Sequence, residues 1–143
     1  MLRGLNPLLG PDLLKVLRSM GHGDEIAIVD GNYPADTDAK LLVRMDGHSA
    51  TDILGAVLSV MPLDTMAPDC AFRPLPLPPA NDTQPIFAEF AAIINKWEPA
   101  IHISILASPD FYARVKACYA VIASSESRLY GNIVLKKGVI DPK

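Results

Sequence analysis

Aromatic side chains and clustered positive charges are both scarce in this chain of 143 residues. Aromatic residues make up 6%, and 13 Lys and Arg against 16 Asp and Glu give a net charge of −3 with no basic cluster. A nucleic acid or an anionic membrane would want clustered cations, so neither is expected as a partner. Cys70 and Cys118 lack CxxC spacing and are too few for a disulfide framework, so we expect reduced thiols.

The sequence also has no long uninterrupted run of apolar residues. Its first twenty residues briefly resemble a signal peptide, but Pro7, Asp12, Lys15 and Arg18 interrupt them and no cleavage site follows. A membrane-spanning helix needs about 18 apolar residues, which no segment approaches. With 50% hydrophobic residues, the chain is predicted to be one globular, cytoplasmic domain over residues 1–143.

Helix and strand signals alternate along the chain. Buried strands are predicted in "EIAIVD", "KLLVRMDG", "DCAFRPL", "AIHISIL", "YAVIAS" and "NIVLKKG". Helices are predicted in "PDLLKVLRSM", "SATDILGAVLSVM", "IFAEFAAIINKW" and "SPDFYARVKAC". We expect Trp97 on the inward face of the third helix and Ser108 as the N-cap of the fourth. Roughly six strands interleaved with four helices predict an α/β layered domain.

A few polar residues stand where side chains reach a cleft. His22 lies between two glycines, as a site residue or as a solvated turn histidine. Asp30 ends the apolar run "IAIV", as a site carboxylate or as an Asx-turn residue. In "LYGN", Tyr130 supplies a flat ring with a hydroxyl, and Asn132 both donates and accepts hydrogen bonds, although the motif alone is a turn signal. Together these groups resemble a site for a polyol.

Other candidate sites are weaker. His48 begins a helix after a turn, and His102 alternates with two isoleucines, so both are more typical of structural positions. No HxH, HExxH or CxxC pair occurs, and no metal is predicted. The phosphate loops GxGxxG and GxxxxGK[ST] and the serine elbow GxSxG are also missing.

The two end motifs, "MGHGDEIAIVDGNYPA" and "LYGNIVLKKGV", resemble those of the ribose pyranase and fucose mutarotase family, RbsD/FucU. The resemblance covers nearly the full chain, including "FYARVKACYAVIASSESRLYGN". "GHGDEI" is closer to the fucose branch than to the ribose branch, which tends to GHTD. The resemblance implies a three-layer α/β/α domain with a mixed, roughly six-stranded sheet, assembled into ring-shaped homo-oligomers, often decamers.

The resemblance also implies a role for each candidate residue. The family's proton donor falls on His22, its sugar-binding aspartate on Asp30, and its C-terminal tyrosine and asparagine on Tyr130 and Asn132. A neighbouring subunit's C-terminal strand region is implied to complete the site. One position departs: before "PDFYARV" the family carries arginine or histidine, and this chain has Ser108. Ser108 is then either a substrate contact with an altered preference or only a helix cap.

The implied reaction interconverts the anomers of a monosaccharide, with L-fucose as the leading substrate. Opening the ring requires a proton on the ring oxygen and loss of one from the anomeric hydroxyl. An imidazole can do both near neutral pH, and no cofactor is needed. Two alternatives stay open: a D-ribose pyranase, and a non-catalytic monosaccharide-binding protein linked to sugar transport.

Overall fold

A mixed six-stranded sheet forms the centre of the computed structural model, which describes residues 1–142. The strands are β1 (Glu25–Val29), β2 (Leu42–Met45), β3 (Ala71–Pro74), β4 (Ser104–Leu106), β5 (Ala120–Ser124) and β6 (Ile133–Lys136). Their order is β2-β5-β1-β6-β3-β4, and β6 runs antiparallel to both of its neighbours. The other pairs are parallel. We call the side where β1 to β5 end and β6 begins the carboxyl edge, and the opposite side the amino edge.

Helices cover both faces of this sheet. They are α1 (Pro11–Ser19), α2 (Ala35–Asp38), α3 (Ala50–Leu58), α4 (Pro85–Trp97) and α5 (Ser108–Ala117). In β1, Ile26 and Ile28 face a core formed with α1, α3 and α4, whereas Ala27 and Val29 face a second core formed with α2 and α5. This alternation follows from the two-residue period of a strand. The predicted three-layer α/β/α arrangement is therefore confirmed.

Local signals placed most elements correctly. Pro11 opens α1, and the Ser49 hydroxyl caps α3 by accepting a hydrogen bond from the Asp52 backbone N–H at 3.1 Å. Cys70 and Cys118 are both buried and free, as expected. Among residues 1–142, every helix is too short or too polar to cross a bilayer.

Three expectations about single elements were wrong. Trp97 is 42% exposed rather than inward, because α4 ends at this residue, where Lys96 lies over its ring. Ser108 is not the N-cap of α5: the first helical hydrogen bond is accepted by the Ala107 carbonyl, so Ser108 is already inside the helix. A fifth helix, α2, was missed because four residues are too short to show a helical period.

Candidate active site

Asp30 and Asn132 are paired at the carboxyl edge. Asp30 follows β1 and Asn132 precedes the antiparallel β6, so the two residues lie side by side. The Asp30 backbone N–H donates to Oδ1 of Asn132, and Nδ2 of Asn132 donates to Oδ2 of Asp30, each at 2.8 Å. Both residues are buried. The reciprocal hydrogen bonds hold one carboxylate and one amide in a single orientation at the end of the sheet.

The Asp30 carboxylate serves its own turn as well. Its Oδ1 accepts a hydrogen bond from the Asn32 backbone N–H at 2.9 Å, which is the Asx-turn alternative. Burial raises the pKa of Asp30, and the nearby Glu126 carboxylate adds to this, against opposing hydrogen bonds from Asn32, Asn132 and Tyr33. Each carboxylate oxygen has a second lone pair, so Asp30 can still accept a hydrogen bond from a hydroxyl group of a ligand.

Tyr130 stands beside this pair in an uncommon backbone conformation. Its φ is +61°, in the left-handed region that few non-glycine residues adopt. The tyrosine hydroxyl accepts a hydrogen bond from the Leu77 backbone N–H at 3.1 Å. A Cβ on the next residue, Gly131, would lie 2.6 Å from Cγ of Glu126, so only glycine fits there. Strain of this kind concentrates at functional sites, where the surroundings enforce it.

Ser108 lies farther along the same edge. It follows β4, which is separated from β6 by β3, and two strand spacings amount to about 10 Å. Between them, β3 carries a buried cation that the sequence analysis overlooked: Arg73 is 2.7 Å from Oδ1 of Asp82 and lies over the Phe87 ring. A charge inside the apolar run "CAFRPL" was the available signal.

His22 lies at the amino edge, in the turn between α1 and β1. Its Nε2 is 3.1 Å from Oδ2 of Asp64; the imidazole is 49% exposed and the carboxylate 8%. Asp64 comes from the loop after α3, which β6 holds in place because the Asp64 backbone N–H donates to the Lys136 carbonyl at 3.1 Å. The sequence analysis missed Asp64, since nothing local to "PLDT" indicates a contact with a residue so far away in the chain.

The contact with Asp64 determines what His22 can do. A carboxylate only accepts hydrogen bonds, so the proton of the neutral imidazole is on Nε2 and the lone pair is on Nδ1. Burial acts to raise the pKa of Asp64, but hydrogen bonds from His22 and the Met66 backbone outweigh it and leave the pKa below its ordinary value. Asp64 therefore stays ionised and orients a histidine whose free nitrogen can take a proton.

A single chain does not bring all the candidate residues together. Asp30, Tyr130 and Asn132 meet at the carboxyl edge, whereas His22 is at the amino edge, and the five residues of β1 span about 16 Å between them. His102 is exposed before β4, and His48 contacts Ser125 through its backbone. Within residues 1–142, no three histidine, cysteine or acidic side chains are grouped to hold a metal ion.

In α/β domains, small polar ligands commonly bind at the ends of the strands. The oriented histidine and the buried carboxylate–amide pair of this chain both lie at strand ends, which is typical of such a ligand-binding domain. The chain belongs to the RbsD / FucU transport protein family, whose model matches residues 3–140. Fucose mutarotase from Homo sapiens is 36% identical over 145 residues, covering 97% of this chain and 94% of the human protein.

Solved structures agree with this assignment. FucU from Bifidobacterium longum is 41% identical and superposes with a TM-score of 0.92, covering 97% of this chain and 100% of that one. The fucose mutarotase from Streptococcus pneumoniae, solved in complex with L-fucose, is 36% identical with a TM-score of 0.90, covering 98% of this chain and 100% of that one. Family membership and fold, both predicted from the end motifs, are confirmed.

Proposed function

We propose that this chain is a sugar mutarotase that interconverts the α and β anomers of a monosaccharide, with L-fucose as its substrate. The observation that carries the proposal is the His22–Asp64 pair, in which Nε2 is 3.1 Å from the carboxylate. Such a pair leaves Nδ1 free to act as a general base and then as a general acid. L-Fucose is the sugar bound by the Streptococcus pneumoniae relative, which supports it as the substrate here.

The reaction moves one proton out and back. As the C1–O5 bond of the pyranose breaks, the anomeric O–H proton moves to Nδ1 of His22 and the bond's electron pair stays on O5. The imidazolium then gives its proton to O5, which leaves a neutral open-chain aldehyde. Rotation about C1–C2 presents the other face of the carbonyl, and the reverse steps close the opposite anomer. The ionised Asp64 stabilises the imidazolium while it exists.

Asp30, Tyr130 and Asn132 hold the sugar in this proposal. The carboxylate accepts a hydrogen bond from a sugar hydroxyl, the amide side chain fixes the carboxylate, and the tyrosine ring offers a flat surface. Ser108, farther along the edge, reaches the far side of the ligand. A serine hydroxyl has neither the charge nor the length of the family's basic residue, so this position alters the choice of sugar rather than the chemistry.

The site is completed between two copies of the chain, and the copies form a ring. His22 and the Asp30 group are at opposite edges of one sheet, so one protomer's amino edge has to face another's carboxyl edge. Exposed apolar side chains accompany both halves: Leu77 and Leu129 at the carboxyl edge, Met66 and Ile140 at the amino edge. Contacts between two different faces close into rings when the rotation permits.

A cytoplasmic location stays a prediction from the sequence.

Saturation-transfer NMR tests this function. Magnetisation is moved from one anomer signal to the other, with and without protein, across L-fucose, D-ribose and galactose. We expect exchange faster than the blank, with L-fucose fastest. D-Ribose as the preferred sugar would favour the pyranase alternative. Signals that only broaden, without faster exchange for any sugar, would overturn the enzyme and leave a sugar-binding protein.

A further inference from the structure

The turn that carries His22 is short and only partly closed by its own atoms. The Gly21 backbone N–H donates to Oδ2 of Asp24 at 2.7 Å, and the Asp24 N–H donates to the Gly21 carbonyl at 3.2 Å. Gly23 has a φ of +86°, which reverses the chain direction before β1. These bonds shape the turn but do not attach it to the sheet.

Lys137, directly after β6, makes that attachment on both sides of His22. Its Nζ donates to the carbonyls of Leu17 at 2.7 Å and Met20 at 2.6 Å, before the histidine. Its backbone accepts from the Gly23 N–H and donates to the Asp24 carbonyl, each at 2.9 Å, after the histidine. One residue thus holds the turn through four hydrogen bonds that lie on either side of the imidazole.

The side-chain bonds of Lys137 match what the end of α1 lacks. The last carbonyls of a helix have no partner within the helix, and their combined dipole favours a cation. Leu17 lies in the last turn of α1, and Met20 is the residue at its C-terminal cap. The ammonium group therefore replaces missing helical hydrogen bonds. It also fixes the position at which α1 ends and the histidine turn begins.

The next residue, Gly138, holds the other half of the pair. Its backbone N–H donates to the Pro62 carbonyl at 2.9 Å, and a Cβ at this position would lie 2.3 Å from the Leu63 carbonyl oxygen and 2.9 Å from Cα of Asp64. Only glycine permits this approach. The adjacent pair Lys137 and Gly138 therefore holds the His22 turn and the Asp64 loop against the same end of β6.

We propose that Lys137 is a positioning residue for the reaction: it fixes the His22 turn so that the imidazole meets Asp64. This inference rests on the proposed function, because it assigns a purpose to the His22–Asp64 geometry. Among residues 1–142, the ammonium group hydrogen-bonds to two backbone carbonyls and to no side chain, so it acts through the histidine turn. Its removal should loosen the imidazole while the sugar-holding group at the carboxyl edge stays intact.

The test begins with Lys137→Met, which keeps an unbranched apolar side chain as far as Cε and removes the ammonium donors. We expect kcat for anomer exchange to fall about tenfold or more and KM to change less than about twofold, because misplaced catalytic groups cost rate rather than ground-state binding. Lys137→Arg should recover most of the rate. The matched control is Lys40→Met, which removes a similar bond from Nζ to the Ala117 carbonyl at 3.0 Å and should leave kcat unchanged.

A double-mutant cycle distinguishes positioning from general weakening. On an Asp64→Asn background, Lys137→Met should lower kcat by less than about threefold, because the orientation of His22 that Lys137 maintains is already lost. Independent, fully multiplicative losses would overturn the inference. Lys137→Gln, which retains a donor, takes the place of Lys137→Met in the same cycle if the methionine variant does not fold.

Nitrogen NMR shifts of the His22 ring give a readout that does not depend on activity. We expect the signature of the Nε2–H bond to Asp64 to weaken in Lys137→Met and to persist in Lys40→Met. An unchanged signature in Lys137→Met would contradict the positioning role. Wild-type protein that fails to exchange anomers would instead contradict the proposed function, and the ring shifts would still decide whether Lys137 orients His22.

Discussion

His22 and Asp30 flank one strand, β1, so the imidazole lies at the amino edge of the sheet and the carboxylate at the carboxyl edge. Each is oriented by a different partner, the imidazole by Asp64 and the carboxylate by Asn132. The strand is rigid and buried, so the two groups cannot approach each other within one chain. A mechanism that uses both therefore needs two protomers, and the consequences for each half can be tested separately.

His22→Ala should lower anomer exchange by about 100-fold or more while the protein stays folded. The rate falls because the proton carrier is lost, and the fold survives because the imidazole is half exposed. The measurement is anomer exchange by NMR at saturating sugar, with a thermal melt alongside. Wild-type exchange in the folded variant would reduce His22 to a turn residue.

Asp64→Asn should reduce kcat by roughly 10- to 100-fold with little change in KM, because the partner that orients the imidazole loses its charge. The pKa of Asp64 is below its ordinary value in the folded protein. Ionised Asp64 therefore stabilises the folded protein at pH values above the ordinary carboxyl pKa, and this stabilisation is lost as the pH falls through the lowered pKa. Melting curves against pH should lose this acid-limb dependence in the variant.

A matched control for Asp64→Asn is Asp46→Asn, which removes an exposed carboxylate 3.0 Å from Arg44. Exposed pairs contribute little to stability, and Asp46 belongs to neither half of the site. We expect its kcat to equal that of the wild type. Equal losses in the two variants would mean that a change in charge, rather than the orientation of His22, slows the reaction.

Much of this site could be predicted from sequence because its residues lie in continuous motifs. Asp30 ends an apolar strand and Asn132 precedes another, and antiparallel pairing of the two strands brings them together. Asp64 could not be found in this way, since its contact with His22 depends on how the loop after α3 packs on β6. The separation of His22 from Asp30 does follow from the sequence, because the two residues flank one predicted strand. Which residues of other strands join them at each edge does not, because strand order and direction are set by packing over the whole sheet.

Asn132→Asp should destabilise the protein by about 2 kcal/mol at neutral pH. The new oxygen would replace a donor 2.8 Å from Oδ2 of Asp30, and two carboxylates so close cannot both ionise. The folded state would then keep a proton that the unfolded state releases, so stability falls as pH rises above the ordinary aspartate value and recovers on acidification. In the wild type, burial already raises the pKa of Asp30 and gives a weaker dependence of the same sign.

Asn32→Asp provides the comparison for Asn132→Asp. It adds the same charge two residues from Asp30, on an exposed side chain, and keeps the backbone hydrogen bond to Oδ1. We expect Asn32→Asp to lower the free energy of unfolding by no more than about 0.5 kcal/mol, as for most surface substitutions. Urea unfolding at several pH values measures both variants. Similar losses of stability in the two variants would show that the hydrogen-bonded pair of Asp30 and Asn132 does not make its position more sensitive to an added charge.

Ser108→Arg should shift the sugar preference towards L-fucose by about tenfold in kcat/KM, since a charge-assisted hydrogen bond replaces a neutral one. Ser108 is partly buried at the first turn of α5, on the same edge as Asp30. Ala113→Arg adds the same charge on the exposed face of that helix and should leave the preference unchanged. A sugar panel by NMR measures both variants. No shift for Ser108→Arg would exclude this position from the substrate site.

Mixing two inactive variants tests whether the site is shared. His22→Ala damages the amino edge and Asp30→Asn the carboxyl edge, so homo-oligomers of either should be slow. If each site takes one edge from each of two protomers, a random one-to-one mixture gives about a quarter of the sites both native halves. Anomer exchange should recover to about that fraction after co-expression. The control mixes His22→Ala with the double variant His22→Ala/Asp30→Asn, in which no arrangement supplies an imidazole and no recovery is expected. Absence of recovery in the first mixture, with assembly verified by sedimentation, would place the whole reaction within one chain and require a route from His22 to the sugar that bypasses Asp30.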